Sequence, residues 1–257
     1  MNYTLTQIPE RTAKPRQKGL TMVMDKGLSI RQVEDFLSIA EPYTDVVKLG
    51  FGTSYVTPRL EEKLKVYHEA DMPVFFGGTL FEAFVARDQF EDYLRILDKF
   101  KMQYAEVSDG SLEIEHGQKC EYIRRLAEHV TVISEVGSKD AEKIFAPYQW
   151  IELMKAEIEA GVFKVIAEAR ESGNVGIYRG TGEVRQGLVD EILTQIPEDM
   201  IIWEAPKKAQ QVWFIKLLGP NVNLGNIAPN EVLPLETLRI GLRGDTFFEF
   251  LDNRTRA

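Results

Sequence analysis

The stretch Val130–Lys139, V-T-V-I-S-E-V-G-S-K, decides the fold. Its first half carries β-branched residues at nearly every position, the composition of a strand buried on both faces. Such strands belong to parallel sheets covered by helices. The run then delivers Glu135, Gly137 and Lys139 in quick succession. A carboxylate at the end of a buried strand is costly unless a cation or a metal answers it. The stretch therefore reads as the rim of a functional site.

The same arrangement recurs along the chain. Strand-like runs begin at intervals of 22 to 36 residues: Leu20–Lys26, Val46–Gly52, Pro73–Thr79, Tyr104–Gly110, Val130–Gly137, Lys164–Arg170, Met200–Pro206 and Val222–Ile227. Between them, apolar residues spaced three and four apart predict helices over Ser29–Ala40, Pro58–Ala70, Glu82–Phe100, Gln118–His129, Trp150–Ala160, Glu183–Gln195, Lys208–Leu218 and Glu231–Ile240. Eight strands alternating with eight helices through short connections predict an α/β fold, a single-domain (β/α)8 TIM barrel over residues 19–257 behind an extended lead-in, residues 1–18. A doubly wound open sheet is the alternative. It would carry a glycine-rich phosphate turn after its first strand, where this chain reads D-K-G-L. The longest irregular insert, Glu171–Gly182, contains four glycines between Gly173 and Gly182 and is a candidate lid.

Composition narrows the function classes. With 44% hydrophobic and 28% charged residues among 257, a large core is available. No window reaches the apolar length of a membrane span, and the N-terminus lacks a secretory pattern. One cysteine, Cys120, forms no internal disulfide, which fits a reducing cytoplasm. A net charge of −9 argues against nucleic acid as a partner. The expectation is a cytoplasmic protein with no nucleic-acid or membrane partner.

In a barrel, function gathers where strands end at the C-terminal face. Strand alternation predicts that the interior collects Asp25, Glu106, Glu135, Glu168 and Glu204 against Lys48 and Arg170, with Asp109 and Lys139 on the rim. An excess of acids at one mouth is what a divalent cation neutralises, and oxygen-only donors favour Mg²⁺ over zinc. The histidines (His68, His116, His129) fall in or beside helices and read as structural or surface residues. Lys48 reads as a Schiff-base nucleophile, a fixed cation for an anionic substrate, or an ion-pair partner. The last two loops, with Lys207 and Lys208 in one and Gly225 and Asn226 in the other, occupy the usual phosphate position of such barrels.

Taken together, these motifs resemble the phosphosulfolactate synthase family from about Pro15 to Thr246. The residues that carry the likeness are G-L-T-M-V-M-D-K-G-L (19–28), V-K-L-G-F-G-T-S (47–54), G-G-T-L-F-E (77–82), E-V-S-D-G-S (106–111) and S-E-V-G-S-K (134–139). They continue with E-A-R-E-S-G (168–173), E-A-P-K-K-A-Q-Q (204–211), V-N-L-G-N-I (222–227) and L-E-T-L-R-I-G-L-R-G-D-T (235–246). The resemblance implies a barrel enzyme, a carbon–sulfur lyase, that adds sulfite to phosphoenolpyruvate to give (2R)-phospho-3-sulfolactate with Mg²⁺. In the family this feeds coenzyme M synthesis or sulfolactate formation.

For this chemistry Lys139 is the expected proton donor and Glu106, Glu135, Glu168 and Glu204 the candidate metal ligands. Lys48 and Arg170 are the expected anion clamps, and a homo-oligomer is the expected assembly. The family's E-V-G-K-K motif here has Ser138 in place of its first lysine, and the loop around Tyr178–Arg179 also departs from the family pattern. Plant heat-stress-associated proteins resemble the same family, so a non-catalytic member is the alternative.

Overall fold

The computed structural model describes residues 3–137 and 145–252. Each predicted run contains one strand: β1 Thr21–Asp25, β2 Val46–Leu49, β3 Val74–Phe76, β4 Tyr104–Val107, β5 Thr131–Val136, β6 Lys164–Ala167, β7 Ile201–Glu204 and β8 Leu224–Ile227. All ladder pairs are parallel, in the order β3-β2-β1-β8-β7-β6-β5-β4. The two ends, β3 and β4, lie side by side without a ladder between them, so the barrel closes around its circumference except for this one seam.

The helices are α1 Ile30–Ala40, α2 Thr53–Val56, α3 Leu60–Glu69, α4 Gly78–Val85, α5 Phe90–Lys99, α6 His116–Ala127, α7 Pro147–Glu159, α8 Gln186–Leu193, α9 Lys208–Leu218 and α10 Val232–Arg239. The single helix expected over Glu82–Phe100 is two, α4 and α5. The chain breaks between them where Asp88 adopts a left-handed conformation at φ 56°. No described helix is long and apolar enough to cross a membrane.

Two apolar layers follow from the strand pleat. The larger lies between sheet and helices and includes Val23, Val47, Phe76 and Trp203. The smaller fills the barrel interior with Leu20, Met22, Val46, Phe75, Ile133, Ile166 and Ile202. Its members alternate with the first along β1, β2, β3, β5, β6 and β7, as a closed parallel barrel requires.

That alternation corrects one expectation. Met22 faces the interior, so Thr21, Val23 and Asp25 face the helices. The Asp25 carboxylate is fully buried beneath α3, where it takes the Lys63 ammonium at 2.7 Å and the Tyr67 hydroxyl at 2.9 Å. Its other oxygen accepts the Gly27 and Leu28 N–H groups at 2.8 Å, shaping the turn after β1. A strand buried on both faces carries no amphipathic signal, so T-M-V-M-D left its parity open.

The lead-in lies across the N-terminal end of the barrel. Arg11 pairs with Glu236 at 3.0 Å, Arg16 with Asp45 at 3.0 Å and Lys14 with Glu41 at 2.7 Å. The functional end is thereby left to the opposite mouth.

Candidate active site

At the C-terminal mouth, a cavity of about 390 Å³ opens over the interior layer. Five of its lining residues are charged side chains carried there by strand ends: Lys48 from β2, Glu106 from β4, Glu135 from β5, Glu204 from β7, and Glu168 just beyond β6. All five are less than a tenth exposed. Each follows an interior apolar residue by two positions, and this pleat spacing is what aims them at one point.

Lys48 is the hub. Its Nζ lies 2.8 Å from Glu106 Oε2, 3.4 Å from Glu135 Oε2 and 3.9 Å from Glu204 Oε1. Burial works against its charge, but the three carboxylates outweigh burial and hold the ammonium well above its ordinary value. An amine so firmly protonated is a poor nucleophile, which favours the fixed cation over the Schiff base.

The carboxylates divide into two groups. Glu135, Glu168 and Glu204 each offer an oxygen within 4.8 Å of the others. Glu106 stands apart from that triad: one oxygen takes Lys48 and the other accepts the Gly78 N–H at 2.8 Å. It therefore spans the β3–β4 seam and caps the first turn of α4, where a negative group is favoured. Glu204 accepts the Ala169 N–H at 2.9 Å, and Glu168 the Arg170 N–H at 2.6 Å. Burial, aided by Glu135 and Glu106, pushes the Glu204 carboxyl up to about 8 against the opposing pull of Lys48 and the Ala169 N–H. Three crowded, buried, all-oxygen donors fit a hard divalent cation, which would displace the proton held at Glu204.

Two glycines make the geometry possible. Gly137 sits at φ 130°, and a Cβ there would lie 2.6 Å from Trp150 and 2.7 Å from the Glu168 Cβ. Only glycine lets β5 turn off beside β6 at this point. At Gly78, a Cβ would lie 2.6 Å from the Ser108 Cβ and 2.7 Å from Glu106 Oε1, so the seam closes only without a side chain.

The other expected residues are distributed as follows. Arg170, left-handed at φ 55°, is exposed and lines the cavity mouth. Asn226, left-handed at φ 56°, lines the cavity with its Oδ1 buried and without a hydrogen-bond partner among the described residues. Gly225 packs against Met22, Ile202 and Glu204. Lys207 lies beside Gly182, whereas Lys208 turns away to Asp245 at 2.9 Å. Lys139 lies outside the described residues.

The insert Glu171–Gly182 is well tied from Gly173 onward. The Tyr178 hydroxyl donates to the Glu204 carbonyl at 2.6 Å, and Gln210 donates to the carbonyls of Gly173 and Gly182. Its near end, Glu171 and Ser172, lines the cavity, and Glu171 pairs across the mouth with Lys26. Thr79 and Ser111 also line the cavity without having been singled out from sequence. Neither carries a charge, and only their place in the G-G-T-L-F-E and E-V-S-D-G-S motifs marks them.

Comparisons agree with this architecture. Solved structures with the same fold include 3-keto-L-gulonate-6-phosphate decarboxylase from Vibrio cholerae, with a TM-score of 0.54 and 12% identity, covering 91% of this chain and 100% of that one. Another is 3-hexulose-6-phosphate synthase from Salmonella typhimurium, with a TM-score of 0.57 and 12% identity over 87% of this chain and 100% of that one. At such identities they show the fold alone.

Sequence relatives are much nearer. The chain is 43% identical to the phosphosulfolactate synthase of Bacillus subtilis, over 96% of this chain and all of that protein. It is also 43% identical to the phosphosulfolactate synthase of Methanothermobacter thermautotrophicus, over 93% of this chain and 95% of that protein. Protein HEAT-STRESS-ASSOCIATED 32 of Arabidopsis thaliana is 19% identical over 90% of this chain and 88% of that protein. The family model for (2R)-phospho-3-sulfolactate synthase (ComA) matches residues 9–245. With four buried carboxylates and a lysine converging in the mouth of a parallel barrel, and with that match along nearly its whole length, the chain belongs to the (2R)-phospho-3-sulfolactate synthase family.

Proposed function

We propose that this chain adds sulfite to phosphoenolpyruvate, giving (2R)-phospho-3-sulfolactate in a Mg²⁺-dependent reaction. The observation that carries the reading is the Glu135–Glu168–Glu204 triad beside the buried Lys48 cation, in a chain of this family. Those three glutamates would hold Mg²⁺. When bound, it would supply positive charge where the substrate carboxylate gains negative charge in the transition state.

The chain's own residues account for the rest. Lys48 offers a second fixed positive charge that needs no reorganisation, because Glu106 and Glu135 already hold it. Arg170 at the mouth attracts the anionic substrates, and Asn226 with Lys207 serves the phosphate side. The sulfite sulfur lone pair forms the new bond to the methylene carbon. The double-bond electrons move toward the carbon bearing phosphate and the adjoining carboxylate. Lys139 then delivers its proton to that carbon, completing the addition without loss of any group. Buried walls such as Met24 and the Gly77–Gly78 backbone limit water at the reacting carbon.

The test is sulfite-dependent consumption of phosphoenolpyruvate, with and without Mg²⁺, following the product by mass. Product formed only when sulfite, phosphoenolpyruvate and Mg²⁺ are all present is expected. Folded protein that gives no product across pH 6–9 (about that span brackets the Glu204 carboxyl) and across divalent metals would overturn the reading. A Lys139→Ala variant with full turnover would remove the proton-donor assignment alone.

A further inference from the structure

β4 ends at Val107, whose ladder partner is Ser134, so the next residue of β5, Glu135, lies beyond the reach of the β4 ladder. Its carbonyl is answered from outside the sheet. Lys119, on α6, is almost fully buried and donates to the Glu135 carbonyl oxygen at 2.6 Å. The same ammonium reaches Asp109 Oδ1 at 2.9 Å and Glu157 Oε1 at 2.8 Å. An ammonium has three donors, and here three acceptors take them. Glu157, on α7, is fully buried and also meets His116 Nε2 at 3.2 Å. Glu157 and Asp109 outweigh the burial of Lys119 and keep it protonated.

The cluster joins the end of β4, helices α6 and α7, and the last turn of β5 at one atom. On the opposite side of the same residue, the Glu135 carboxylate faces Lys48, Glu168 and Glu204. We infer that Lys119 is a positioning residue: by holding the Glu135 peptide from the helix side, it sets the direction of the Glu135 carboxylate in the cavity. The inference rests on the proposed reading for its metal, and on the described geometry for its mechanism. Groups that orient a ligand from behind typically change metal affinity by about 10–100-fold when removed.

The experiment is a two-residue cycle on the full chain with Mn²⁺ as the probe, its binding read by electron paramagnetic resonance in the absence of substrate. Lys119→Met is expected to weaken Mn²⁺ binding about tenfold, and Lys119→Arg to restore part of it. In a Glu135→Gln background, adding Lys119→Met is expected to cost less than about twofold more, since both act through one carboxylate. Parent-like Mn²⁺ affinity in folded Lys119→Met, or losses that multiply in the double variant, would overturn the assignment. If Lys119→Met does not fold, Glu157→Gln takes its place, and unchanged Mn²⁺ affinity there counts against the proposal. If the parent itself binds no Mn²⁺, the metal reading fails separately. Lys119 is then judged on sulfite-dependent kcat, where an unchanged value in folded Lys119→Met overturns it.

Discussion

The Asp25–Lys63 pair offers the sharpest test of how this barrel is held together. Both groups are buried, 2.7 Å apart, between β1 and α3. Truncating Asp25 to alanine leaves the Lys63 ammonium without its carboxylate and removes the acceptor of the Tyr67 hydroxyl and of the Gly27 and Leu28 N–H groups. Breaking one side of a buried pair costs about 3–5 kcal/mol, because the remaining charge stays desolvated. The turn donors are near solvent and add little. For a chain of this size a loss of about 4 kcal/mol lowers Tm by on the order of 10 °C.

The sign of the double variant carries the argument. Asp25→Asn with Lys63→Met keeps an acceptor for the turn and removes both charges, so it is expected to be more stable than Asp25→Ala. Urea unfolding followed by circular dichroism and tryptophan fluorescence measures Asp25→Ala, the single variants Asp25→Asn and Lys63→Met, and their double variant, with refolding checked. Coupling of at least about 2 kcal/mol between the two positions is expected. Single losses that simply add, or an Asp25→Ala midpoint equal to the parent's, would refute mutual compensation.

Three further outcomes follow from the mouth of the barrel. The Glu204 carboxyl is raised from 4.5 to about 8, so between these values the folded protein holds a proton that the unfolded chain releases. Without metal, stability should therefore fall as pH rises through that window, by at most about 1.4 kcal/mol per pH unit. Thermal unfolding from pH 5.5 to 8.5 (about the width of the shift) reads this slope, and Glu204→Gln should flatten it. Tyr178→Phe leaves the buried Glu204 carbonyl without its donor, at a cost of about 1–3 kcal/mol; limited proteolysis should then cut within residues 171–182 sooner than in the parent. Gly78→Ala forces a methyl group onto Ser108 and Glu106 and should destabilise by about 1–3 kcal/mol. It should also lower kcat, since Glu106 holds Lys48.

The barrel was legible because strand and helix periods alternate without exception, and each strand lies inside its predicted run. Interior placement of Lys48, Glu106, Glu135, Glu168 and Glu204 was legible for the same reason: each lies an even number of residues from an interior apolar neighbour. Asp25 was not, because both parities of β1 are apolar and only packing chooses between Met22 and Val23. Lys63 and Lys119 escaped notice for a different reason. Each sits on the buried stripe of its helix, Lys63 with Tyr67 and Lys119 with Ile123 and Leu126. A lysine at such a position signals a buried acid across the interface, but the partners Asp25 and Glu157 are distant in sequence. The division of the acids into a triad and a separate Glu106 depends on which backbone N–H lies nearby, which no spacing encodes.

The missing ladder between β3 and β4 has a consequence for how the protein breathes. A barrel closed by ladders all round opens only by breaking several cooperative rows, whereas this one has a single stave joint stitched by side chains, chiefly Gly78 to the Glu106 carboxylate. Local openings concentrate where protection is lowest, so amide exchange along Phe75–Gly78 and Tyr104–Val107 should outpace exchange at β6 and β7. Glu106 is also the nearest carboxylate to the central cation at 2.8 Å. Each parting of the joint thus strips the lysine of its nearest partner and leaves it to Glu135 and Glu204, and anything that engages the lysine from the cavity side tightens the hoop.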